Sequence, residues 1–268
     1  MKKLALTSLL AMVAATGAHA ANVIDGNPLY RPVKGNFYSV TSVDTHNQNT
    51  TKTGLNEELG YSFTDRLLAR VSASGSQSDW FETSAWDDLS VGLDYRFLDA
   101  DQWKADVYGS YTVNDIRGHN QVAFDKDNTW YAWTVGARFG FIDPCGWTLA
   151  AHAEFNYGNT ESFNWDHSVP VSMKTLNMQH SLNVGVDGQV VLNREWALVG
   201  GVDYTAYLKN VLWDANLGHW TAKVGANYNM TETMYVGGFV GKEIAHTAAG
   251  EWKVQDGFTF GAQFGIDF

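Results

Sequence analysis

The sequence predicts an all-β fold: a closed antiparallel transmembrane β-barrel of about twelve strands, ten in the alternative count, with short periplasmic turns and longer extracellular loops. Three observations carry this reading. Apolar and polar residues alternate with period two in segment after segment, the connections alternate between short and long, and aromatic residues gather at both ends of the apolar parity.

The chain opens on a segment set apart from the barrel. Lys2 and Lys3 lead into a short apolar run, Leu4 to Ala15, that ends in Ala18-His19-Ala20; this is the pattern of a secretory signal peptide over residues 1 to 20. Residues 21 to 34, with Asn27-Pro28-Leu29-Tyr30-Arg31-Pro32, read as a non-strand periplasmic lead-in that would serve as a disordered terminus, a tether or a short plug. The barrel is expected over residues 35 to 268. Cys145 is the only cysteine, so no intrachain disulfide can form even in an exported chain. Stability must come from burial or from a closed hydrogen-bond ladder. In a periplasmic turn, between Pro144 and Gly146, Cys145 reads as a small turn residue.

The strands follow in order. Residues 35 to 45 look extended without a decisive parity. Residues 53 to 63 carry Leu55, Leu59, Tyr61 and Phe63 on one face, and residues 67 to 76 carry Leu67, Ala69 and Val71. The clearest segment is 88 to 97, where Leu89, Val91, Leu93, Tyr95 and Phe97 alternate with Asp88, Ser90, Gly92, Asp94 and Arg96. Trp103, Val107, Tyr111 and Val113 mark 103 to 114, and Tyr131, Trp133, Val135, Ala137, Phe139 and Phe141 mark 129 to 141. Trp147, Leu149, Ala151, Ala153, Phe155 and Tyr157 do the same for 147 to 157. Residues 181 to 190, 196 to 207, 220 to 230 and 258 to 268 repeat the pattern, whereas 232 to 243 again lacks a decisive parity. The weakness of the first and eleventh strands is the reason for the ten-strand alternative.

Short polar connections near Thr64-Asp65, 98 to 102, 143 to 146, Asn193-Arg194 and Thr231-Glu232 alternate with long stretches near 46 to 52, 77 to 87, 115 to 128, 158 to 175, 208 to 218 and 244 to 255. Turns therefore lie at one end and loops at the other. Period-two strands also build soluble sandwiches, but there the outward face carries many Lys and Glu. Here the polar parity is Gly, Ser, Thr, Asn and mixed charge. The apolar parity is Val, Leu and Ala between aromatic ends, which accounts for 11 Trp, 12 Tyr and 14 Phe and matches a lipid-facing belt with two aromatic girdles. A mean hydropathy of −0.24 is then an average over a lipid face and a wet face. Open edges in lipid would leave backbone groups unpaired, so the sheet must close.

The chain end is the most specific feature. In Gly257-Phe258-Thr259-Phe260-Gly261-Ala262-Gln263-Phe264-Gly265-Ile266-Asp267-Phe268, alternate positions are apolar and the last residue is aromatic. Here the sequence resembles the Gram-negative outer-membrane β-barrel proteins. The resemblance implies secretory export, residence in the cell outer membrane among its lipid and lipopolysaccharide, and reading of Phe264, Ile266 and Phe268 by the barrel-assembly machinery.

With the apolar parity facing lipid, the other parity lines the lumen: Arg70, Arg96, Lys104, Arg138 and Lys223 against Glu58, Asp88, Asp94, Asp106, Glu154, Asp187, Asp203 and Asp267. A tight turn at 98 to 102 is expected to set Arg96 opposite Lys104 and Asp94 opposite Asp106, with opposite charges on the diagonals, and with Arg70 and Arg138 extending the network near the periplasmic mouth. The function expected is a porin-like channel for passive diffusion of small solutes, neutral or cationic ones because the lumen has no one-sided basic ladder. The alternatives are a non-conducting structural or ligand-binding surface barrel filled by paired charges, and an outer-membrane barrel enzyme. For the last, His119, His167, His219 and His246 lie in or near long loops and His152 lies two residues from Glu154, without a recognisable catalytic motif. No His-x-x-x-His or comparable spacing suggests a metal site, and no cofactor is expected. The loops add Asp79, Trp80, Phe81, Glu82, Trp86, Phe163, Trp165 and Asp166, read as packing over the mouth or as a surface for extracellular ligand or lipid. With the signal segment gone, 16 basic residues face 29 acidic ones, which argues against a nucleic-acid partner.

Overall fold

The computed structural model describes residues 27–47, 51–78, 88–114, 131–159, 180–208, 218–246, 251–254 and 257–268. Its strands are β1 (Phe37–Asn47), β2 (Thr51–Ser62), β3 (Leu67–Ser78), β4 (Asp88–Asp99), β5 (Trp103–Asn114), β6 (Tyr131–Ile142) and β7 (Trp147–Asn159). They continue with β8 (His180–Val191), β9 (Trp196–Tyr207), β10 (Gly218–Asn229), β11 (Met234–His246), β12 (Trp252–Val254) and β13 (Thr259–Asp267). Each strand from β1 to β11 pairs antiparallel with the next, and β13 pairs with both β11 and β1, closing a twelve-stranded barrel. The thirteenth strand, β12, is a short addition that pairs Trp252 with His246 and Val254 with Ile244 beyond the barrel wall. The ten-strand alternative is overturned. The long-loop stretches lie largely outside the described residues, and with them the loop residues Asp79, Trp80, Phe81, Glu82, Trp86, Phe163, Trp165 and Asp166 as well as His119 and His167.

At the turn end, side-chain oxygens stand in for missing backbone partners. The Leu67 amide donates to Thr64 Oγ1 at 2.9 Å, the Cys145 amide to Asp143 Oδ1 at 2.7 Å, and the Trp196 amide to Asn193 Oδ1 at 2.9 Å. This is the reason Thr, Asp and Asn open these turns. Gly146, at φ 97°, holds a left-handed position that closes the 143–146 turn.

The outer wall is apolar. Val135, Val224 and Leu93 are 64%, 60% and 58% exposed, values that a water-facing sheet of this extent would not sustain. Aromatic side chains line both rims of that wall. Near the turns, Trp103 stacks on Phe139 with centroids 5.0 Å apart, and Trp196 meets Tyr228 at 4.9 Å. Near the loops, Tyr111 meets Trp133 at 4.4 Å and Tyr204 meets Trp220 at 4.8 Å.

The two weakly patterned strands have identifiable reasons for their weakness. In β1 the outward positions include Ser39, Thr41 and Thr45, and the inward ones include Tyr38 and Val40, so neither face is uniformly apolar. In β11 the aromatics Tyr235 and Phe239 point inward while Lys242 lies opposite the outward Ala222. The β4–β5 hairpin also departs from expectation. A bulge between Arg96 and Leu98, with a turn closed by the Ala100 amide donating to the Trp103 carbonyl, shifts the register by two residues. Arg96 therefore faces Asp106 directly, Asp94 faces Tyr108, and Lys104 faces Asp99.

Because Val135 lies near mid-height on the outer wall, Val135→Arg should destabilise the folded barrel by about 2–4 kcal/mol in lipid. Reversible denaturant unfolding in bilayers measures this; an unchanged midpoint would mean that the wall does not face hydrocarbon.

Candidate functional site

The lumen is asymmetric, and the asymmetry starts from which strands carry arginine. On the β2–β6 side, Arg70, Arg96 and Arg138 all lie within three or four residues of the turn end of their strands. Arg96 is 3% exposed; its Nε donates to Asp106 Oδ1 at 2.8 Å and one Nη to Oδ2 at 3.2 Å, a two-pronged pair. Arg138 approaches the same carboxylate at 3.6 Å. Arg70 Nε reaches Asp94 at 3.2 Å and its Nη1 reaches Glu58 at 3.5 Å, while the Tyr38 hydroxyl donates to Glu58 at 2.7 Å. Tyr108 lies across the middle of this cluster, with the Arg138 guanidinium 5.0 Å from its ring centroid and its hydroxyl donating to Glu154 at 3.1 Å. The neighbouring strand makes room for the ring at Gly136, where a Cβ would lie 2.5 Å from Tyr108 Cζ.

The segment before β1 enters this mouth. Residues Pro28–Tyr30 form one 3-10 turn, capped by Asn27, whose side chain also donates to Thr148 Oγ1 at 2.9 Å and Gln189 Oε1 at 2.6 Å. Leu29 is 1% exposed and packs over Gly140, where a Cβ would lie 2.3 Å from Leu29 Cδ2. The Pro28 carbonyl accepts from Arg96 at 3.0 Å, and Arg31 pairs with Asp267 at 2.8 Å while lying 3.5 Å over the Tyr38 ring. Residues 27–34 thus fill much of the mouth at the turn end.

The opposite side of the lumen is less crowded. Between this segment and the β8–β11 wall lies a cavity of about 350 Å³, bordered by Asn27, Arg138, Asp187, Gln189, Lys223 and Phe239. Lys223 is exposed and lies 5.8 Å from the Phe239 ring centroid. Asp187 and Asp203 flank His152, at 3.1 Å from Nδ1 and 3.0 Å from Nε2.

Of the residues proposed from sequence to line the lumen, Arg70, Asp94, Arg96, Asp106 and Arg138 form one connected cluster. Glu154 joins it through Tyr108, Asp187 and Asp203 share His152, and Lys223 lies beside the cavity. Lys104 is separate, paired with Asp99 near the turn. Sequence reasoning passed over Arg31, Tyr38, Tyr108 and Phe239, and also Asp44 and Glu243, which sit on the two strands without a decisive parity.

Burial of Arg96 and Asp106 together is tolerable because each satisfies the other; removal of Arg96 takes away the two-pronged partner and leaves the buried Asp106 with only the longer Arg138 contact at 3.6 Å. Arg96→Met is expected to cost about 3–5 kcal/mol of barrel stability, and the double variant Arg96→Met, Asp106→Leu less than the sum of the single changes. Unfolding midpoints of the two single variants and the double variant check the coupling.

No protein-family model matches the chain, and no curated protein matches it in sequence. Solved structures do match in fold. The COG4313 outer membrane channel from Pseudomonas putida F1 aligns with a TM-score of 0.60 at 15% identity, over 92% of this chain and 100% of that one. The NanC porin aligns at 0.55 and 8% identity over 86% and 98% of the two chains. The KdgM porin, in complex with disordered oligogalacturonate, aligns at 0.54 and 8% identity over 85% and 99%. At these identities the likeness concerns the fold, and with the closed ring, apolar wall and aromatic rims described above it leads to one statement: the chain has the fold of the Gram-negative outer-membrane β-barrel channels.

Proposed function

We propose that this chain is a porin-like channel of the outer membrane, reached by secretory export, through which small neutral or cationic solutes diffuse passively. The observation that carries the reading is how charge is distributed along the lumen. The arginines near the turn end are tied to Asp94, Glu58, Asp106 and Asp267. Toward the loop end, Asp44, Glu154 and Glu243 have no arginine, lysine or histidine within ion-pair distance among the described side chains, whereas Asp203 is held by His152. A solute entering from outside therefore meets a net negative vestibule before the crowded mouth, which favours cations and disfavours anions. Lys223 and the cavity it borders offer a path beside residues 27–34 rather than through the arginine cluster.

Two measurements in planar bilayers test this. Under a salt gradient the reversal potential should show cation preference, increased by Lys223→Glu and reduced by Glu154→Gln combined with Glu243→Gln; anion preference in the unaltered protein would overturn the charge argument. Deleting residues 21–34 should raise the unit conductance, since Leu29 and Arg31 occupy the mouth. If neither the full-length nor the shortened barrel conducts, while both show heat-modifiable gel migration as folded barrels, the chain is a surface protein rather than a pore.

A further inference from the structure

On the open side of the lumen, two charges of opposite sign share one level without pairing. Asp187 on β8 lies opposite Gly201 on β9, Gly201 opposite Lys223 on β10, and Lys223 opposite Gly241 on β11. These positions belong to the inward parity, and two strand spacings, about 9–10 Å, separate the backbones of Asp187 and Lys223. With glycine between them, no side chain fills the interval. Asp187 leans into it: its Oδ1 lies 2.4 Å from where a Cβ on Gly201 would stand, while its Oδ2 is 3.1 Å from His152 Nδ1. Lys223 leans the other way, its Cγ 3.4 Å from a Cβ position on Gly241 and its Nζ 5.8 Å from the Phe239 ring centroid. Among the described side chains no carboxylate lies within ion-pair distance of Lys223. Asp187 and Asp203 share a single imidazole, so with both carboxylates ionised this group carries at least one net negative charge whether or not the ring is protonated. Asp187 and Lys223 both border the cavity of about 350 Å³, a size within the range of small-molecule sites. Its floor toward the turns is polar and uncharged, made by Asn27, Gln189 and Asn227, the last accepting from Gln263 Nε2 at 3.2 Å.

We propose that this cavity is a binding site for small zwitterions of the α-amino acid type, with the ammonium group taken by Asp187 and the carboxylate by Lys223. The proposal deepens the channel reading, on which it rests for the route by which solute reaches the lumen, and it singles out one class among the neutral solutes. A zwitterion brings a complement to each of the two charges at once, and hydrogen bonds between ionised groups are roughly twice as strong as neutral ones. A solute with a single charge answers only one of them and is repelled by the other: a plain cation by Lys223, a plain anion by Asp187 and Asp203. The site exists because the two residues do not close on each other. His152 engages one oxygen of Asp187, and the stem of Lys223 lies over Gly241. Phe239, beside Lys223, offers an apolar face to the side chain of the solute. Being neutral overall, such a solute is not turned away by the negative vestibule above.

The test uses full-length protein in lipid nanodiscs, its folding checked by heat-modifiable migration, with L-alanine as the probe. In saturation-transfer NMR at slightly acidic pH, L-alanine should give a saturable signal. N-acetyl-L-alanine, which lacks the ammonium, and L-alaninamide, which lacks the carboxylate, should each bind about tenfold more weakly. Asp187→Asn should abolish the preference over N-acetyl-L-alanine and keep that over L-alaninamide, and Lys223→Gln should do the reverse; a merely structural disturbance would weaken all three probes together. Equal binding of the three probes by the unaltered protein, or L-alanine binding unchanged in both variants, would overturn the site. Conductance of the same protein in planar bilayers separates this from the channel reading. Ion current without preferential L-alanine binding overturns the site and leaves the channel standing, whereas selective binding by a barrel that carries no current supports the site and overturns the channel.

Discussion

The structure depends on one constraint: at mid-height of an apolar wall, a backbone amide or carbonyl has no water to bond and must find another strand. The seam between the first and last strands meets it, running from Tyr38 opposite Asp267 to His46 opposite Thr259 and finished by reciprocal bonds between Phe37 and Phe268 at 2.7 and 3.1 Å. Once the ladder is closed, each side chain has two choices, lipid or lumen, and neighbours in sequence take opposite ones. Chemistry as different as Trp103 and Lys104 is sorted within a single residue step.

Closure also determines what the lumen must do with charge. A ring of twelve strands lies between the small barrels that side chains fill and the wide ones that hold a water channel. This protein meets the two conditions on different sides. Around β2 to β6, arginines and carboxylates are packed into a paired network over Tyr38 and Tyr108, and the segment before β1 completes the filling with Leu29. Around β8 to β11, glycines and small side chains leave the cavity open beside Lys223. Arginine suits the crowded side because its planar fork satisfies two carboxylate oxygens at once, as Arg96 does with Asp106.

Much of this was legible in the sequence, for a physical reason: wherever the two faces differ in solvent, period two shows it. Trp103, Trp147 and Trp196 marked a rim correctly, and the inward parity of Arg70, Arg96 and Arg138 followed from their apolar neighbours. Register was not legible at β4–β5, because the turn closes at Ala100 and Trp103, later than the 98 to 102 stretch suggested, and one bulged residue at Phe97 takes back part of that displacement, neither leaving a compositional trace. The inward aromatics were hidden because they break the binary pattern. Their signal lies on the neighbouring strand: Gly60 beneath Tyr38, Gly136 beneath Tyr108, Gly261 beneath Phe239 and Gly265 beneath Tyr235. Glycine on a lumen position, paired across from an aromatic, could have found them. Residues 27–34 have no period at all, so nothing local specified that they turn inward.

The link between Arg31 and Asp267 joins residues 236 positions apart in the chain. The partner of Arg31 belongs to the strand synthesised last, and the carbonyl at Pro28 is held by an arginine whose own seat needs β5 in place. The Arg31 end of the entering segment therefore has its partner only where the final strand meets the first. Asn27 and Leu29 seat on β6 to β8 without that strand, so the segment is anchored at one end to the middle of the chain and at the other to its closing seam.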